Sequence, residues 1–101
     1  MSSIKQLLQK ARALIEDPAH WTQGALARDS AGNEVFPNSP QAVCFCAEGA
    51  LACAFEGTFD LKERAGRYLD IETEKPLWTF NDSHTHEEVL NAFDKAIANC
   101  G

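Results

Sequence analysis

The sequence predicts a mainly α-helical, compact single domain over residues 1–101, with about four helices and a small β-hairpin between the first and second. Three observations carry that expectation. Apolar residues recur at three- and four-residue spacing near both ends of the chain, over Ile4–Ile15 and Val89–Ile97, which is the stripe of a helix with one buried face. The run AVCFCAEGALACAF at 42–55 is small or apolar except for Glu48, and an element apolar all round is buried all round. Between the first stripe and that run, short and partly alternating segments flank Gly32-Asn33, the chemistry of a tight turn between strands.

Taken in order, the first helix opens at Ser3, which has capping-box spacing to Gln6, and buries Ile4, Leu7, Leu8, Ala11, Leu14 and Ile15. Asp17-Pro18 ends it, because the residue before proline is pushed out of helical backbone angles. The hairpin runs from His20-Trp21-Thr22-Gln23-Gly24 to Glu34-Val35-Phe36-Pro37. A two-stranded ribbon is marginal alone, so it is expected to lie against the helices. Asn38-Ser39-Pro40 has the form of a cap with proline at the first helical position, which would start the central helix there. The first residues of that helix could equally be extended. Its small face, Ala42, Cys46, Gly49, Ala50 and Cys53, lets neighbouring backbones approach closely. Gly57-Thr58 breaks the run, and Leu61, Ala65, Tyr68 and Leu69 mark a third helix, weakened by Gly66 and closed by Pro76. Leu77–Phe80, LWTF, is too short to assign between a strand and a helical turn. Thr85 and Glu88 form a second capping-box pair, with Glu87 and Glu88 suited to the positive end of a helix dipole. The last helix therefore starts there and buries Val89, Leu90, Phe93, Ala96 and Ile97.

Composition narrows the function classes. Fifteen acids against nine bases give a net charge of −6, with no basic run. That argues against non-specific nucleic-acid binding, which needs lysine and arginine against phosphates, and disfavours an anionic membrane surface. No stretch reaches 18 apolar residues, and the N-terminal segment is interrupted by charges, so neither a membrane span nor a signal peptide is expected. Cys44, Cys46, Cys53 and Cys100 are then expected as reduced thiols in a cytoplasmic protein.

Several short motifs occur together: Trp21-Thr22-Gln23-Gly24-Ala25 with Ala27-Arg28-Asp29, Cys46-Ala47-x-Gly49-Ala50-Leu51, Asn81-Asp82, Thr85-His86-Glu87-Glu88-Val89-Leu90, and Phe93-Asp94-Lys95-Ala96-Ile97. The set resembles a family of small uncharacterised proteins from bacteria and bacteriophages, over nearly the whole chain. Where that family usually has tryptophan before the cysteine and before Asn-Asp, this chain has Phe45 and Phe80. The resemblance implies a shared fold and brings no assigned activity. From where such genes occur, it directs attention to phage–host interaction.

Three kinds of site are open on these residues. Cys44-x-Cys46 with His84-x-His86 are ligand types that zinc prefers, but on a helix the two cysteines would point about 200° apart. They read better as small buried hydrophobes, and no metal or cofactor is expected. Cys46 near a helix start, with His86 or His84 as base, Asp82 or Asn81 as orienter and Gln23 as oxyanion donor, would make a small cysteine hydrolase or transferase. Against it, the apolar run around Cys46 raises a thiol pKa. The reading placed first is non-enzymatic binding of a small polar molecule or a protein partner. It uses Trp21, Gln23, Arg28, Asp29, Asn81, Asp82 and His86, groups expected on non-helical segments held by a scaffold. Arg28 and Asp29 could instead pair structurally, and neutral His86 is expected to hydrogen-bond a partner. Self-association through the small-residue helix would give a homo-oligomer.

Overall fold

The computed structural model describes residues 4–54 and 59–100, so the cap at Ser3 and the break at Gly57-Thr58 lie outside the described residues. In chain order the elements are α1 (Ile4–Leu14), a single 3-10 turn (Pro18–His20), β1 (Ala27–Arg28), β2 (Glu34–Val35), β3 (Cys44–Phe45), α2 (Ala47–Ala54), α3 (Phe59–Thr73), α4 (Leu77–Ser83) and α5 (His86–Asn99). The fold is mainly helical, as expected, with five helices among the described residues rather than four.

α1 buries Leu7, Leu8 and Ala11, and Ile15 just beyond its end, against α2, α3 and α5. Leu8, Ile15, Leu51, Leu69, Val89 and Phe93 are the largest apolar side chains sealed from solvent. Each stabilises the fold by about 1.5–3 kcal/mol relative to exposure. After α1 the Asp17 carboxylate accepts the Ala19 N–H at 2.9 Å, which caps the 3-10 turn begun by Pro18. α1 has already ended at Leu14, three residues before the expected stop, and Asp17-Pro18 opens a separate 3-10 turn followed by extended chain.

The hairpin forms with Ala27 opposite Val35 and Arg28 opposite Glu34. Its loop closes through Asp29 N–H to Asn33 O at 2.9 Å, with Gly32 at φ +86°, a left-handed angle that glycine adopts without strain. The ribbon is not left alone. β3 pairs antiparallel with the other side of β1, giving a three-stranded sheet in the order β2-β1-β3.

That third strand corrects the expected start of the central helix. Residues 39–42 form a turn, and the Val43 and Cys46 N–H groups donate to Arg28 O at 2.9 Å and Leu26 O at 3.1 Å. The extended alternative holds for 43–46, and α2 starts at Ala47 because non-local backbone pairing outweighs the cap-proline signal. The small face does what its residues suggested. A Cβ on Gly49 would lie 1.8 Å from Leu26 O, so only glycine lets α2 pass this close to the chain entering β1.

LWTF opens a helix. Pro76 precedes α4, and the Asp70 carboxylate, reaching from α3, accepts the Leu77 N–H at 3.1 Å. Asn81 and Asp82 therefore lie on a helix, not on the non-helical segment expected for them. At α5 the capping box is complete: Glu88 N–H to Thr85 Oγ1 is 3.2 Å, and Thr85 N–H to Glu88 Oε1 is 2.9 Å. The Thr85 backbone bond, above all, holds the Glu88 carboxyl below its ordinary pKa.

Candidate functional site

The segment after α1 and the segment before α5 meet, and Asn81 is the centre of the meeting. Asn81 faces the protein interior on α4 and is sealed from solvent. Its Oδ1 accepts from Trp21 Nε1 at 2.7 Å and from the Ala47 N–H at 3.0 Å. Its Nδ2 donates to Thr22 O at 3.0 Å and to Asp82 Oδ1 at 3.2 Å. One amide thus ties together the 21–24 segment, α4 and the first N–H of α2. A short side chain with a donor and an acceptor in one plane is needed for this. Burying it is tolerated because its hydrogen-bonding capacity is filled.

The neighbouring groups are committed in the same way. Gln23 Nε2 donates to Asn81 O and to His84 O, both at 3.0 Å. Gly24, at φ +79°, turns its N–H onto Asp82 Oδ1 at 3.0 Å. Arg28 spreads its guanidinium over Thr22 Oγ1 at 3.1 Å, Gly32 O at 3.1 Å and Gln23 O at 3.2 Å. Asp29 makes no pair with Arg28. Its Oδ1 accepts from Ala31 N at 3.0 Å and Asn33 N at 2.9 Å, and the Asn33 backbone bond, foremost, lowers the carboxyl pKa. Asp29 thus shapes the hairpin loop and does not join the Asn81 cluster.

The histidines are also placed. His86 Nε2 lies 2.6 Å from Ile15 O, so that nitrogen carries the proton, and its ring tilts against Trp21 at 5.4 Å. His84 stacks on Phe80 at 3.9 Å, with Nδ1 3.0 Å from Phe80 O. Cys46 stands at the N-cap of α2, where its Sγ accepts the Gly49 N–H at 3.3 Å and its carbonyl the Ala50 N–H at 2.8 Å. It is 2% exposed, and burial raises its thiol pKa, opposite to what a nucleophile needs. The two cysteines and two histidines do not converge. Cys44 Sγ turns to Arg28 O at 3.9 Å, and among the described residues no group of three or more His, Cys, Asp or Glu is placed to hold a metal.

Beside this closed cluster the surface opens. Two depressions, about 670 Å³ and about 180 Å³, share the wall Gly24-Ala25-Leu26. The larger extends over Glu34, Val35, Phe36 and Ser39, and the smaller is closed by Cys46, Trp78 and Asp82. Leu26, Phe36 and Trp78 are 44%, 79% and 59% exposed. Leu26 and Phe36 flank the Ala27–Val35 pair on the same side of the hairpin, since side chains alternate along strands. Trp78 lies one helical turn before Asp82, on the exposed flank of α4, about 100° round the helix from the face of buried Leu77 and Asn81. Sequence reasoning missed all three. The available signal was a set of large apolar residues outside every helical stripe.

A profile described as a family of unknown function, DUF6197, matches residues 1–99. No curated protein and no solved structure matches.

Proposed function

The chain belongs to the family of unknown function DUF6197, and we propose that it works as a non-enzymatic interaction module. Its contact surface is the pair of depressions that share Gly24–Leu26, taken together as one groove with Phe36 at one end and Trp78 at the other. One contrast supports this reading. The polar groups of Gln23, Arg28 and Asn81 are spent inside the fold, while large apolar side chains beside them stand in water. A polar ligand at Asn81 would have to displace bonds that hold three segments together. An apolar contact in the groove displaces only water and is worth roughly 25 cal/mol per Å² covered. Clustered exposed apolar surface is the ordinary mark of an interaction site. The protein partner is therefore favoured over the small polar molecule. The cysteine-enzyme reading draws no support from a buried thiol and from histidine rings bonded elsewhere.

A photo-crosslinking residue placed at Phe36 in the producing cell tests this. A discrete adduct is expected there and not when the same residue replaces Lys95, on the exposed side of α5. Indistinguishable adduct patterns at the two positions would refute the groove as a contact surface.

A further inference from the structure

We infer that the partner lays an apolar segment flanked by lysine or arginine along this groove; the inference rests on the groove being an interaction surface. Charge carries it. The residues lining the two depressions include two carboxylates, Glu34 toward one end and Asp82 at the other, and no lysine or arginine. Arg28 sits opposite Glu34 across the hairpin, and its N–H groups go to Thr22, Gln23 and Gly32. Bonded only to neutral acceptors, it keeps its charge and offsets Glu34, which leaves Asp82, beside Trp78, as the carboxylate that draws the cation. The bonds to Asp82 from Gly24 and Asn81 both fall on Oδ1, so Oδ2 keeps its capacity to accept.

Trp78 and Asp82, four residues apart on the exposed side of α4, set an indole beside a carboxylate. A cation on an apolar stem gains at both, through the ring face and through the ion pair. Between the acids, Leu26 and Phe36 accept aliphatic or aromatic side chains. The net charge of −6 steers such a partner in from a distance. A second copy of the chain is disfavoured on the same grounds, since it would bring two acidic rims together.

A displayed random-peptide library panned against the full chain tests this, with counter-selection on Phe36→Ala and Trp78→Ala. Clones that need both side chains are expected to combine an apolar centre with lysine or arginine. They should bind the double variant Glu34→Gln, Asp82→Asn about three- to ten-fold more weakly at low salt. Asn at position 82 can still accept from Gly24, so the fold is kept. The gap should close at roughly 1 M salt, where the Debye length is about 3 Å. Groove-dependent clones that are neutral or acidic would overturn the charge assignment and leave the groove standing. An absence of groove-dependent clones would overturn both. A dimer dissolved by Trp78→Ala would put a second copy in the groove and overturn the inference.

Discussion

Replacing Asn81 by alanine leaves two buried or half-buried donors, Trp21 Nε1 and the Ala47 N–H, without the oxygen they share at 2.7 and 3.0 Å. It also leaves Thr22 O without its donor. A buried polar group that loses its partner costs about 1–3 kcal/mol. The Ala47 N–H bears the full penalty, because Ala47 is sealed from solvent. Trp21 and Thr22 are half-buried and recover part of theirs from water. The sum is about 3–4 kcal/mol, a large share of the roughly 5–15 kcal/mol that a domain of this size has. At about 4–8 °C per kcal/mol, the melting temperature should fall by about 12–30 °C in a circular-dichroism melt. Asn81→Asp should fall less but acquire a pH dependence. Its carboxylate still serves Trp21 and Ala47, but it faces Thr22 O and Asp82 Oδ1 in place of donating to them. Those contacts and burial raise its folded pKa, so this variant should gain stability as the pH falls from 7 toward the carboxylate range. An Asn81→Ala protein that melts within about 3 °C of the parent would refute the assignment of Asn81 to structure.

Gly49→Ala should cost about 3 kcal/mol or more, since backbone meets backbone and the Cys46 N–H to Leu26 O bond must give way; a near-native melt would mean that α2 can shift freely. Native alkylation followed by mass spectrometry should label Cys46 last of the four thiols, and labelling as fast as Cys44 would revive the nucleophile reading. The lowered pKa of Glu88 means that the unfolded chain binds more protons in acid, so its contribution is present above about pH 4 and lost as the pH falls through the folded value. Glu88→Gln should therefore flatten the decline of melting temperature below about pH 4, and an unchanged slope would refute the role of its cap bonds.

Local signals were legible and non-local ones were not. α1 and α5 announce themselves by their stripes, and Thr85-x-x-Glu88 is a cap whose partners lie three residues apart. The turn at Gly32-Asn33 is equally local. α2 starts late because its first N–H groups are served by Cys46 and by Asn81, thirty-four residues away, and because 43–46 pairs with β1. α4 is invisible in LWTF since its first turn is capped by Asp70 from the preceding helix. The candidate site followed the same rule. Residue types suggested that 21–29 and 81–86 meet, and Trp21, Gln23 and Asn81 do meet. Only the tertiary structure reveals that these groups satisfy one another, and that Leu26, Phe36 and Trp78 are left exposed beside them.

On the proposed reading, stability and binding fall to neighbouring but separate residues, and one comparison separates them. The yield of the partner adduct formed from position 36 can be measured at low temperature in Asn81→Ala and Trp78→Ala, each alongside its melting temperature. The expected outcome is that Asn81→Ala melts early yet keeps the adduct, while Trp78→Ala melts normally and loses it. An Asn81→Ala protein with native melting and no adduct would contradict the division, and would return the binding site to the polar cluster.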